Sequence, residues 1–337
     1  MVNRISILSS VDSSSLLFWK FSGQEKLSEP FRFQVDLLSQ DFAIDRQTML
    51  GKNMTVVVPG QWGQERYLSG KITAVSVRAE DLGDTRYAVY QTTLEPDFWP
   101  MMRDRNFRIF QQQRVPDIVA TLLSEHNVKF EDKLTRSYRQ WDYCVQYAES
   151  SFQFMSRLLE LEGISYLFRH DKDGHTLVLM DDYQQAEAFP GYETIPWHAQ
   201  SGGGAVGEEG ISQLMASHVV TPGLYSTDDY DFRKPHAWML QTLQNPVSPT
   251  PGKIDVYDWP GRFMEHGDGE AYARCGAGDD GGLARVIGFV EGRGFFRRRV
   301  AGLVEDQVDA AVERREGFHH EGDPVLLRAR PADQVLN

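Results

Sequence analysis

The chain has 337 residues, enough for two or three domains each with its own core, and its hydrophobic (41%) and charged (25%) fractions are those of a globular protein. A net charge of −13 and a pI near 5.2 argue against a nucleic-acid-binding surface. No apolar run approaches the roughly 20 residues needed to cross a bilayer, and the N-terminus MVNRISILSSVDSSSLLFWK lacks the apolar core and cleavage site of a signal peptide. The two cysteines, Cys144 and Cys275, sit far apart without metal-site spacing and read as reduced thiols.

Residues 1–97 read as β and are expected to form a first barrel. Phe31, Phe33, Val35 and Leu37 alternate with Arg32, Gln34 and Asp36, the pattern of a strand buried on one face. Further strands are predicted at Thr55–Val58, Tyr67–Val77 and Tyr87–Leu94, separated by Pro59-Gly60 and by the polar stretch 80–85. From Phe98 the period changes. Ile118, Val119, Leu122 and Leu123 recur at helical spacing behind Pro116, predicting a helix near 116–126. A second helix over 151–162 is marked by Ser150 with Gln153 three residues on, a capping-box spacing, and by Gly163 at its end. Phe152, Met155, Leu158 and Leu159 form its apolar face. Ile164–Phe168 and Thr176–Met180 then predict a hairpin around the turn Asp171–Gly174. Residues 98–182 thus make a small α/β segment. Residues 199–210 form a glycine-rich loop, 211–258 are strand-like, and 183–274 as a whole read as a second, incomplete barrel region.

The last 63 residues, 275–337, contain no Ser, Thr, Lys, Tyr, Trp or Met, types that supply 75 of the first 274. That break points to coding sequence read out of frame or through an inserted element; the alternative is a genuine terminus of unusual composition. Its apolar residues match no barrel partner, so the tail is expected to be poorly ordered or locally helical, with 301–315 as an isolated amphipathic helix.

No catalytic constellation is assembled. G-x-S-x-G, H-E-x-x-H and Walker A sequences are absent, and the formal G-x-G-x-x-G at Gly276, Gly278 and Gly281 follows a helical stretch, where a dinucleotide fold needs a strand. His319-His320-Glu321 lacks metal-ligand spacing. His170 and His175 flank the hairpin turn and would face one another beside Asp171 and Asp173; a solvated polar turn outweighs a metal site there. The acid pairs Asp181-Asp182 and Asp228-Asp229 belong at strand ends and turns. Of the aromatics Phe31, Phe33, Tyr87, Tyr90, Phe98, Trp99, Phe107, Phe110, Trp141, Tyr143, Phe152 and Phe154, most are expected in the core and a minority at an interface. No catalytic, cofactor or metal residue is nominated.

The segment 140–182 closely resembles the most recognisable part of the valine-glycine repeat protein G (VgrG) family, the spike proteins of type VI secretion. LSEPFRFQVDLLSQD (27–41), YLSGKITAV (67–75), LEPDFWPMMRDRNFRIFQQQRVPDIVATLL (94–123), YDFRKP (230–235) and DVYDWPGRFMEHGDGEAYAR (255–274) resemble further family motifs in the expected order. The resemblance implies a mainly β fold of two phage-hub-like barrels with an α/β segment between. It further implies a homotrimer whose six barrels match the hexameric Hcp tube, contacts with baseplate proteins and with effectors or adaptors, and no enzyme activity or cofactor. The family continues into an OB-fold domain and a β-helix needle, whereas the resemblance here stops after Arg274, so the chain is expected to be a truncated base module that is monomeric or weakly associated. Synthesis in the cytoplasm and export through the type VI apparatus without a signal peptide follow. The alternative is a phage-derived contractile-tail baseplate hub, and a less favoured one an effector enzyme.

Overall fold

A computed structural model describes residues 5–9, 15–59, 65–182, 194–196, 211–215, 223–244, 255–263, 266–277, 286–292, 294–300 and 326–328. The first strands are β1 (Ser6–Ser9), β2 (Leu17–Lys26), β3 (Glu29–Ser39), β4 (Asn53–Pro59), β5 (Glu65–Leu82) and β6 (Thr85–Glu95). The alternation in β3 decides which face goes inward: Phe31, Phe33, Val35 and Leu37 are all fully buried. β3 pairs antiparallel with both β2 and β6, placing Val35 opposite Phe21 and Thr92. Gly83, at φ +62, turns the chain from β5 into β6.

The next segment runs β7 (Asn106–Arg114), α1 (Val115–Glu125), β8 (Phe130–Lys133), β9 (Gln140–Glu149), α2 (Ser151–Leu161), β10 (Ser165–His170) and β11 (His175–Met180). Both helices form where the sequence signals them. Pro116 lies in the first turn of α1, and Val115, Ile118, Val119, Leu122 and Leu123 are buried. At α2 the Ser150 hydroxyl accepts from the Gln153 N–H at 3.0 Å, while the Gln153 side chain accepts from the Ser150 N–H at 3.0 Å. Gly163, at φ +62, ends the helix, and the Ile164 N–H donates back to the Leu159 carbonyl. One position differs from the expected apolar face: Phe154 is fully buried, while Phe152 is half-buried and stacks on Phe98 at 5.3 Å. Antiparallel β10 and β11 form the hairpin, β8 runs parallel to β11, and among the described residues β7 pairs only with β9. One continuous apolar core extends from Leu16 to Leu179, so the β-rich and α/β segments pack on each other directly.

Beyond it lie β12 (Thr194–Pro196), β13 (Ile211–Met215), β14 (Leu224–Thr227), β15 (Gln241–Gln244), β16 (Asp255–Asp258), α3 (His266–Ala277), β17 (Val286–Gly292), β18 (Gly294–Val300) and β19 (Leu326–Arg328). β14 is central in a small sheet with β15 and β16. The helix α3 is held to the α/β segment by Tyr272, whose hydroxyl donates to Glu162, and by Arg139, which stacks on Trp141 at 3.8 Å and ion-pairs with Asp268. Among the described residues no helix is long and apolar enough to cross a membrane.

Two expectations change here. The large sheet has the order β1-β4-β5-β6-β3-β2-β18-β17-β13 and begins and ends on unlinked strands, so among the described residues it is an open sheet and not a closed barrel. The tail, expected to lack a dock, contributes the hairpin β17–β18, with β18 running parallel to β2 through Phe296↔Gly23 and Arg298↔Glu25. The physical reason is that β2 otherwise ends the sheet with unpaired N–H and C=O groups, which the backbone of β18 meets over residues 296–298. The glycine-rich loop 199–210, the helix expected over 301–315 and His319-His320-Glu321 lie outside the described residues.

Candidate functional site

The β7–β9 ribbon carries the most distinctive surface of the described chain. Side chains alternate across it, so two faces result. The inner face buries Phe110, Cys144 and Gln146 against the helices, with Phe110 stacked on Phe154 at 5.6 Å. The outer face presents Phe107, Ile109, Tyr143, Val145 and Tyr147, which are 67%, 64%, 67%, 45% and 74% exposed. Phe107 lies opposite Tyr147 and Ile109 opposite Val145, so the five side chains form one patch, with Phe107 edge-on to Tyr147 at 5.2 Å. Ala148, at φ +52, is the extra residue of a bulge that fixes this register.

Two arginines beside the patch are paired off. Arg108 makes a two-pronged bond to Glu125 at 2.6 and 2.8 Å, and Arg157 from α2 pairs with Glu149 at 2.7 Å while donating to the Val145 carbonyl. The patch itself is therefore uncharged and suited to apolar contact. Contiguous apolar faces of this kind mark interaction sites in proteins. The sequence had named Phe107 and Tyr143 among aromatics divided between core and interface; Ile109, Val145 and Tyr147 were missed. Their signal is alternation on two paired strands of which only one face is covered.

The histidines that flank the hairpin turn do face one another, as register partners on β10 and β11 with ring centroids 5.7 Å apart. Their surroundings correct the expectation of a solvated turn. Both side chains are buried, packed edge-on against Phe31 at 4.9 and 5.1 Å, because the hairpin lies against β3 and β5. The His175 Nε2 accepts from the Asp97 N–H at 3.0 Å, and the Ser69 N–H donates to the His170 Nδ1 at 3.2 Å. Burial, opposed by the nearby Asp97 carboxylate, pulls the His175 pKa down to about 4. The pair clamps the sheet to the hairpin, and no metal-binding cluster occurs among the described residues.

The acid pairs also have structural partners. The Asp181 carboxylate is shielded from water, which opposes ionisation. Bonds from the Arg136 N–H, the Tyr138 hydroxyl and the Thr135 N–H and hydroxyl outweigh that and hold its pKa at about 2. Asp228 and Asp229 pin the loop that follows β16: the Gly261 N–H donates to the Asp228 carbonyl and the Phe263 N–H to the Asp229 carboxylate. Of the formal glycine motif, Gly276 lies within α3.

Comparison with known proteins agrees with this arrangement. The type VI secretion system spike protein VgrG1c of Pseudomonas aeruginosa is 38% identical over 256 residues, 76% of this chain and 35% of that protein. The chain thus spans about a third of that relative's length. Among solved structures, the E. coli c3393 protein, a type VI secretion component described as similar to the T4 tail proteins gp27 and gp5, is 25% identical with a TM-score of 0.53, over 64% of this chain and 56% of that one. The 43 kDa tail protein of prophage MuSo2 from Shewanella oneidensis shares the fold at 10% identity, with a TM-score of 0.57 over 86% and 83% of the two chains. Residues 24–278 match the phage tail baseplate hub (GPD) family. A mainly β chain that sets a small α/β unit against an open sheet and matches the hub family across three quarters of its length is a member of it: this chain belongs to the phage tail baseplate hub family.

Proposed function

We propose that the chain is the base module of a type VI secretion spike, a machine part without enzymatic activity that associates with further copies of itself, three in the complete spike, and docks on the ring of the Hcp tube. Baseplate proteins and effectors or their adaptors would be its other partners. It would be made in the cytoplasm and leave through the apparatus. In this reading residues 1–97, 98–182 and 183–274 act as successive modules, with 275–337 as a divergent tail. The observation that carries it is the uncharged outer face of the β7–β9 ribbon, on a chain 38% identical to a spike protein. A phage-derived tail hub would use the same surface; identity to the spike protein favours the first reading.

The size of the patch sets the expected strength. Five side chains about two-thirds exposed offer roughly 500 Å², short of the ~800 Å² per partner of a stable interface. Self-association through this face alone is therefore weak. Light scattering coupled to size exclusion, run from about 1 to 100 μM, should show the mass rising from 38.4 kDa toward three times that value. Phe107→Asp and Tyr147→Asp should abolish the rise. A mass fixed at 38.4 kDa throughout, or variants that associate as the parent does, would overturn the assignment of this surface.

A further inference from the structure

On the side of the molecule formed by β1, the start of β4 and the 171–174 turn lies an open cavity of about 590 Å³, lined by Leu8, Lys52, Asn53, Thr55, Lys71 and Lys172 among others. Three ammonium groups line it, against the single carboxylate of Asp173, in a chain whose net charge is −13. Lys71 shares its charge with Asp97 at 3.4 Å. No ion pair of Lys52 or Lys172 is found among the described residues, and both are exposed. The wall is held by backbone bonds. The Gly51 N–H donates to the Ile72 carbonyl at 2.8 Å and the Ile72 N–H to the Lys52 carbonyl at 2.9 Å. The Thr55 hydroxyl fixes the Lys172 carbonyl at 3.1 Å. The lysine backbones are thus positioned in advance while their ammonium ends remain available. An anion that enters between these exposed ammonium groups would be attracted to both.

We propose that this cavity binds an acidic peptide segment of a partner protein. Lysine is a compact point charge on a flexible stem, so each ammonium group can reach a separate carboxylate, where arginine's planar fork would grip a single anion with two donors. Among the described residues no arginine lines the cavity and no helix begins at it. The donors are therefore suited to carboxylates spaced along an extended chain more than to one compact polyanion. The volume lies within the range of ligand clefts, and Leu8 and Thr55 supply an apolar wall for side-chain stems. The site is separate from the ribbon face and does not depend on self-association.

The test uses the whole chain and a fluorescein-labelled eight-residue peptide carrying four glutamates, followed by fluorescence anisotropy at low and moderate salt. Saturable binding that weakens with salt is expected. The double substitution Lys52→Glu/Lys172→Glu should weaken it about tenfold or more, whereas Lys20→Glu/Lys133→Glu, the same charge change elsewhere, should alter it about twofold or less. Lys52→Gln/Lys172→Gln, which adds no carboxylate, should give an intermediate loss. Circular dichroism should show parent-like spectra, since both cavity lysines are exposed. Absence of saturable binding, or equal weakening by the control pair, would overturn the proposal. So would displacement of the peptide by inorganic pyrophosphate at an equal concentration, which would make the cavity a small-anion site.

Discussion

Acidification should loosen the joint between the sheet and the β10–β11 hairpin, and His175 should account for a definable part of the loss. Its ring is buried against Phe31 and Phe168, and its Nε2 is already occupied by the Asp97 N–H. Protonation would place a charge in that position and displace the bond, which is why burial holds the pKa at about 4, below the ordinary 6.5. Because the folded state disfavours the charged form, the contribution is complete above pH 6.5 and declines as pH falls toward 4. The difference corresponds to about 3 kcal/mol. Asp97 favours the charged ring, while His170 and Lys71 oppose it. The assay is urea denaturation followed by tryptophan fluorescence at pH 7.5, 6, 5 and 4, on the parent chain and His175→Phe. Phenylalanine keeps the ring contacts but leaves the Asp97 N–H without an acceptor, so the variant should be about 1 to 3 kcal/mol less stable at pH 7.5. It should then lose about 3 kcal/mol less than the parent on descending to pH 4. Parallel stability curves for the two proteins would refute the reasoning.

Asp181→Ala should cost about 2 kcal/mol or more, because the Thr135 and Arg136 N–H groups and the Tyr138 hydroxyl lose their acceptor together. The pH dependence it removes lies between the ordinary 3.8 and about 2, where the parent loses the carboxylate's contribution as pH falls; acid titration of the unfolding midpoint checks it. Ser150→Ala removes the cap of α2 and should lower stability by about 1 kcal/mol, measurable by the same denaturation. Gly70→Ala would bring a Cβ to 3.0 Å from both the Leu94 Cβ and the Phe31 ring, so β5 and β6 would have to separate; a loss of about 1 to 3 kcal/mol is expected, and a parent-like midpoint would show that the strands yield freely.

What the sequence revealed was local. Helix ends were legible because Pro116, Ser150, Gln153 and Gly163 act within a few residues of themselves, and α1 and α2 begin within a residue of the expected positions. β3 was legible because one buried face imposes a strict alternation. The meeting of His170 and His175 could be inferred from the turn between them, but their burial could not, since it comes from β3 and β5, far earlier in the chain. Whether the large sheet closes is not legible for the same reason: strand patterns show a buried face without showing which edges join. The ribbon surface was half legible. Phe107 and Phe110 are equally aromatic, and only the position of α2 on one side of the ribbon sends Phe110 inward and leaves Phe107 in water.

The β5–β6 pair has a mechanical consequence. β5 continues for 18 residues, and beyond Ile72 its side chains are largely exposed or half-covered, while the ladder with β6 runs on to Leu82↔Thr85. This outer stretch spans on the order of 30 Å. Opposed forces along the two strands at its open end load the ladder bonds together as shear, whereas pulling those ends apart sideways opens the bonds one at a time toward Gly83. Relative sliding of β5 against β6 is therefore resisted by many bonds at once, and the hairpin is stiff to that displacement and compliant to one across the strands.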